Sequence, residues 1–181
     1  MQTTALLVID IQRGAFDGVR CPPIDAAERL VGNASTLIAA ARAGGRPVVF
    51  VQHCEGAGEP FEEGSVHGQL HAQLVPAPGE RVVKKYASSS FERTELDALL
   101  KAGNIASLVV CGLQSEFCVS NTTRAALQRG YAVQVAEDGH STWPSNGRSA
   151  AEIAADANAQ LALAGARLAS TESLADALRS A

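Results

Sequence analysis

The sequence predicts an α/β fold of three α/β/α layers, built on a Rossmann-like, mostly parallel sheet of six strands. Two observations carry this. Short apolar runs alternate with helix-period segments almost from end to end, the pattern of a parallel sheet covered on both faces. The runs are apolar at successive positions, as expected for strands buried on both sides. A chain of 181 residues suffices for one domain with a sizeable core, and a single domain over residues 1–181 is predicted. Hydrophobic residues make up 46% and aromatics only 4%, so the core must be mostly Ala, Val, Leu and Ile.

The elements follow in order. Residues 5–9 (Ala-Leu-Leu-Val-Ile) form a first strand that ends at Asp10. A helix spans residues 25–43, with Asp25 as N-cap and Gly44-Gly45 as the stop. Residues 47–52 are the second strand. Residues 53–78 are rich in Gly, Pro and His, and they read as a long irregular excursion of the kind that often carries function. Residues 81–85 are the third strand and 94–102 a helix stopped by Gly103. The fourth strand, 105–111, leads through a polar turn to a helix that starts around Cys118 and runs to Arg129. A fifth strand (131–136), a helix (147–163), a short sixth strand (166–169) and a last helix (171–179) complete the pattern.

Several classes are excluded. The net charge is −4 with no basic stripe, so nucleic acid is not expected as a partner. No apolar run is long enough to span a bilayer. Met1-Gln2-Thr3-Thr4 has no charged leader region or cleavage site, so no signal peptide is predicted. The four cysteines (Cys21, Cys54, Cys111, Cys118) form no CxxC pair, which points to reduced thiols and a cytoplasmic location. No GxGxxG follows the first strand, which argues against dinucleotide binding.

Parallel sheets of this type place their sites at the carboxyl ends of strands, near the point where strand order reverses. Asp10 ends the first strand, Lys85 ends the third and Cys118 follows the fourth. A cysteine at the start of a helix sits beside free N–H groups and the positive end of the dipole. That setting predicts a lowered thiol pKa and a nucleophilic thiolate. A thiol nucleophile needs a proton acceptor, and burial at the end of an apolar strand suits Asp10 to that role. Lys85 would be its charge partner.

Three segments carry a resemblance. The first is Leu6 to Gln12, an apolar strand ending in D-x-Q. The second runs from Gly79-Glu80 through Lys84-Lys85-Tyr86 to Ser90-Phe91 and Thr94-Glu95-Leu96. The third is Cys111-Gly112-Leu113-Gln114-Ser115-Glu116-Phe117-Cys118-Val119 followed by Thr122-Thr123-Arg124-Ala125-Ala126. Together they resemble the isochorismatase-like cysteine hydrolases, which include isochorismatases, nicotinamidases, N-carbamoylsarcosine amidases and ureidoacrylate amidases. The resemblance implies an Asp–Lys–Cys triad on Asp10, Lys85 and Cys118. Counting back from Phe91 selects Lys85, whereas matching by Tyr-Ala-Ser selects Lys84. It also implies a cis peptide at Leu113–Gln114 and an oxyanion hole from the N–H groups of Gln114 and Cys118. Members are commonly oligomers, so a homo-oligomer is expected.

The activity implied is hydrolysis of a small-molecule amide or related C–N bond through a thioester. The alternatives are vinyl ether cleavage of the isochorismatase type, which uses the same triad, and a non-catalytic oligomeric binding protein. The nicotinamidase D-x-H metal pair is missing, since the position reads Val51-Gln52-His53. His53, His67 and His71 match no zinc spacing. No metal and no cofactor are therefore expected. Gln12, Phe16, Phe91, Phe117 and Trp143 are the expected pocket residues, and a small neutral pocket is expected to suit a compact amide or ester.

Overall fold

The computed structural model describes residues 3–180, so the expectation about Met1 and Gln2 lies outside the described residues. Six strands form one sheet in the order β3-β2-β1-β4-β5-β6. They are β1 (Thr3–Ile9), β2 (Val48–His53), β3 (Arg81–Lys85), β4 (Ile105–Leu113), β5 (Ala132–Ser141) and β6 (Arg167–Ala169). Every pairing between them is parallel. The helices are α1 (Ala27–Ala43), α2 (Leu96–Ala102), α3 (Ser120–Gln128), α4 (Ala150–Leu163) and α5 (Thr171–Arg179).

Successive side chains of a strand point to opposite faces, and β1 feeds two cores in this way. Leu6 and Val8 pack with Phe50 beneath α1 and α5, through Leu30, Leu37, Leu174 and Leu178. Ala5, Leu7 and Ile9 pack with Val49 and Val110 beneath α2, α3 and α4, through Leu96, Leu100, Ala126 and Leu161. Three layers result. The strand order reverses between β1 and β4, which opens a crevice at their carboxyl ends.

Two departures from the expected elements bear on function. β5 does not stop at Ala136 but resumes at His140 and Ser141, which pair with Gly112 and Leu113 of β4. The three residues between form a bulge, and bulges re-aim side chains at the edge of a site. On its other side Gly112 is confined by its pairing with Ile9 of β1. Its φ is +133°, and a Cβ there would stand 2.0 Å from the Ile9 carbonyl oxygen. The second departure concerns Cys118. A π-helical turn (Ser115–Val119) precedes α3, so the cysteine belongs to that turn and not to a regular helix start. Among the described residues no helix is long and apolar enough to cross a membrane.

Candidate active site

Three strand ends converge on one buried ammonium. Lys85 closes β3 and is wholly buried, facing inward because its neighbours in the strand alternate outward. Its Nζ lies 2.8 Å from Asp10 Oδ2. It also donates to Cys118 Sγ at 3.1 Å and to the Ala87 carbonyl at 3.1 Å, and lies 3.0 Å from His53 Nδ1. Lys84, one residue earlier, points to solvent and pairs with Glu63 at 2.8 Å. Strand alternation thus brings Lys85, and not Lys84, to Asp10 and Cys118. Asp10 follows β1 in a left-handed conformation (φ 54°) and anchors its N–H on the Val51 carbonyl at 3.0 Å. Beyond the 2.8 Å ion pair with Lys85, neither Asp10 carboxylate oxygen has a hydrogen-bond partner among the described residues. A buried carboxylate in that condition has spare accepting capacity.

Burial sets the protonation pattern. It pushes the Asp10 carboxyl up, against the opposing pull of Lys85. It pushes the Cys118 thiol up to about 11, with Asp10 adding to the rise and Lys85 opposing it. The expected dipole-lowered thiol is therefore not what the structure shows. Desolvation and a neighbouring carboxylate outweigh a turn that is not a regular helix start, and the resting group is a thiol beside a base. Lys85 is held above its ordinary value, because Asp10 and Cys118 overcome the opposing effect of burial. His53 is lowered to about 4 by burial and then by Lys85, so it is neutral and its Nδ1 accepts from the ammonium.

The turn carrying Cys118 is fastened from below. The Leu113–Gln114 peptide is cis. The Gln114 carbonyl accepts from the N–H groups of Phe117 and Val119, at 3.2 and 3.1 Å. Ser115 Oγ meets His140 Nδ1 at 2.8 Å, and His140 Nε2 meets Asn158 Oδ1 at 2.9 Å. Burial holds His140 below its ordinary pKa, so a neutral ring joins the π-turn to β5 and α4. Ser88 approaches the nucleophile from the β3–α2 loop, its Oγ 3.9 Å from Cys118 Sγ, and itself accepts from Asn121.

A cavity of about 730 Å³ is lined by residues that include Cys21, Glu55, Phe61, Gln114 and Trp143; it reaches the turn before Cys118 at Gln114 and the His53 side at Glu55, and Asp10, Lys85 and Cys118 themselves do not line it. Trp143 is fixed there by its indole N–H on the Pro22 carbonyl, at 2.6 Å. The other expected pocket residues lie elsewhere. Gln12 is fully buried and clasps the His53 backbone through two 2.8 Å hydrogen bonds, which makes it a brace for β2. Phe16 packs on His71 in a separate hollow. Phe91 is in the core, stacked on Tyr131 under Arg129. Phe117 is 52% exposed beside Cys118 but does not line the cavity. Among the described residues no group of three or more His, Cys, Asp or Glu side chains is placed to hold a metal ion.

The isochorismatase domain model matches residues 4–173. The chain belongs to the isochorismatase family. A streptothricin hydrolase of Streptomyces noursei is 37% identical to this family member over 139 residues, covering 77% of it. The chain spans only 50% of that relative's length. The ureidoacrylate amidohydrolase RutB of an Enterobacter species is 28% identical, covering 83% of this chain and 80% of its own length. Among solved structures, an isochorismatase hydrolase described as putative from Oleispira antarctica superposes with a TM-score of 0.89. It has 33% identity and covers 97% of both chains.

Within this member of the isochorismatase family, three residues around Cys118 escape sequence reasoning. His53 reads as a loop histidine because it follows an apolar strand. Its register opposite Lys85 is visible only once β2 and β3 pair. Ser88 is one of three successive serines. His140 lies beyond the bulge that hides the end of β5.

Proposed function

We propose that the chain is a cysteine hydrolase that cleaves a small-molecule amide or related C–N bond with a triad of Asp10, Lys85 and Cys118. One observation carries this reading: a single buried ammonium, 2.8 Å from Asp10 and 3.1 Å from Cys118. Asp10 takes the thiol proton, and Lys85 holds the thiolate and carboxylate in place and stabilises both charges. The sulfur attacks the carbonyl carbon and the C–N bond breaks. Asp10 returns its proton to the departing amine, leaving a thioester that water hydrolyses with Asp10 as base. The oxyanion is held by the N–H of Gln114, which has no acceptor among the described residues, and by the N–H of Cys118. Relatives named as a hydrolase and an amidohydrolase support the reaction class.

The same proposal takes in a single catalytic domain in the cytoplasm, where four free thiols stay reduced. It needs no metal or cofactor. It also takes in an oligomer, since the exposed Phe117 beside the nucleophile offers apolar surface to a neighbouring subunit. The test is product release from a panel of small amides, N-carbamoyl compounds and isochorismate, with Cys118→Ala alongside. Ammonia or amine release lost in the variant is the expected result. Pyruvate release from isochorismate alone would move the protein to the ether-cleaving branch.

A further inference from the structure

The cavity that reaches Gln114 carries charge of one sign. Of the side chains that line it, Glu55 and Asp25 are carboxylates, and none is lysine, arginine or histidine. Two cations of the surrounding segments are engaged elsewhere. Arg20 is bound by Glu62 at 2.6 Å and by the Glu59 carbonyl, and Lys85 is committed to Asp10 and Cys118. His53 stands 3.6 Å from Glu55 but is neutral, so it does not cancel the carboxylate. Cys21, also on the lining, lies close enough to Glu55 to be affected by it. Burial raises the Cys21 thiol first, and Asp17 and Glu55 raise it further, with no cation opposing them. The same lining includes the aromatic side chains of Phe61 and Trp143, a residue type whose ring faces attract cations. The wall is also held in shape. Glu55 Oε2 accepts the Phe61 N–H at 2.8 Å, and the Trp143 indole is tied to Pro22. A neutral pocket is the sequence-based expectation, and this lining contradicts it.

We propose that the cavity selects substrates bearing a positive charge, an ammonium or guanidinium beside the scissile amide, with Glu55 as the specificity-determining residue. The cation sits between the Glu55 carboxylate and the rings of Phe61 and Trp143, while the amide carbonyl lies toward Gln114 and Cys118. A substrate carrying a carboxylate in that place would meet Glu55 and Asp25 and be rejected. The inference rests on the reading that substrate reaches Cys118 through this cavity. Its test is kept independent of turnover.

Trp143 is the sole tryptophan of the chain, so its fluorescence reports the cavity directly. Benzylammonium, benzyl alcohol and benzoate are titrated into Cys118→Ala protein with and without Glu55→Gln. Glutamine keeps an acceptor for the Phe61 N–H. Benzylammonium is expected to bind about tenfold tighter than the alcohol, with benzoate weakest, and Glu55→Gln removes the preference. Asp25→Asn, at an exposed position, lowers the preference without disturbing packing. Equal affinity for the three probes, binding of none of them, or a preference that survives Glu55→Gln overturns the inference. A neutral amide turned over by wild type alongside equal probe affinities would sink this inference and leave the amidase reading standing.

Discussion

Replacing Lys85 by methionine isolates the interaction on which the site depends. Methionine keeps much of the aliphatic stem and removes only the charge. Asp10 is 1% exposed, and its oxygens have no hydrogen-bond partner to compensate, so the variant leaves a bare buried carboxylate. Breaking a buried pair in this way costs about 3–5 kcal/mol at neutral pH. Asp10→Asn in the Lys85→Met background removes the stranded charge and recovers about 2–3 kcal/mol of that loss. Lys84→Met is the control. Its pair with Glu63 is solvent-exposed, so its loss leaves stability essentially unchanged. The sign of the pH dependence is fixed as well. Without Lys85, the folded Asp10 pKa rises further above its ordinary value of 3.8, because the cation that pulls it down is gone. A raised carboxyl pKa destabilises the fold as pH climbs through it, so the deficit of Lys85→Met shrinks on acidification. Urea unfolding followed by circular dichroism, for the four proteins at several pH values, reads all of this. A cost below about 1 kcal/mol for Lys85→Met, or an undiminished cost in the Asp10→Asn background, would refute the pairing.

Other consequences are as direct. Cys118→Ala abolishes turnover while the melting temperature stays within a few degrees of wild type, checked by an activity assay beside calorimetry. His53, held near 4 when folded against 6.5 when free, stays neutral while the unfolded chain takes up a proton. Its contribution to stability is therefore complete above pH 6.5 and is lost as pH falls toward 4, a pH dependence that His53→Gln removes from the stability profile. His140→Phe breaks the link from Ser115 to Asn158 and lowers kcat about tenfold or more with little change in KM, while His140→Gln restores part of it. Gly112→Ala drives a methyl into the Ile9 carbonyl and costs about 4 kcal/mol or more, visible as loss of soluble folded protein.

Most of the sheet was legible because strands buried on both faces are written as continuous apolar runs. Leu6 through Ile9 and Leu108 through Cys111 are unmistakable on that criterion. Strand ends were legible for the same reason, which is how Asp10 and Lys85 stand out from other charged residues. The end of β5 was not, because Glu137 and Asp138 interrupt the apolar pattern and only the bulge lets pairing resume at His140. The π-turn was also hidden. Nothing in Ser-Glu-Phe-Cys-Val distinguishes it from a helical first turn, and the thiol pKa expectation failed with it. Pocket residues were the least legible. Aromatic character alone does not tell Trp143, pinned on Pro22, from Phe91, stacked on Tyr131. Gln12 showed its residue type but not its role, since clasping His53 joins two residues that are 41 apart in sequence.

The most direct measurement is acid quenching during turnover of an amide substrate, followed by mass analysis of the peptide that contains Cys118. The account predicts an added mass equal to the substrate's acyl group, located on Cys118, gone after the reaction completes and missing in Cys118→Ala. Steady turnover with no such adduct, retained activity in Cys118→Ala, or an adduct on Cys21 instead would contradict it.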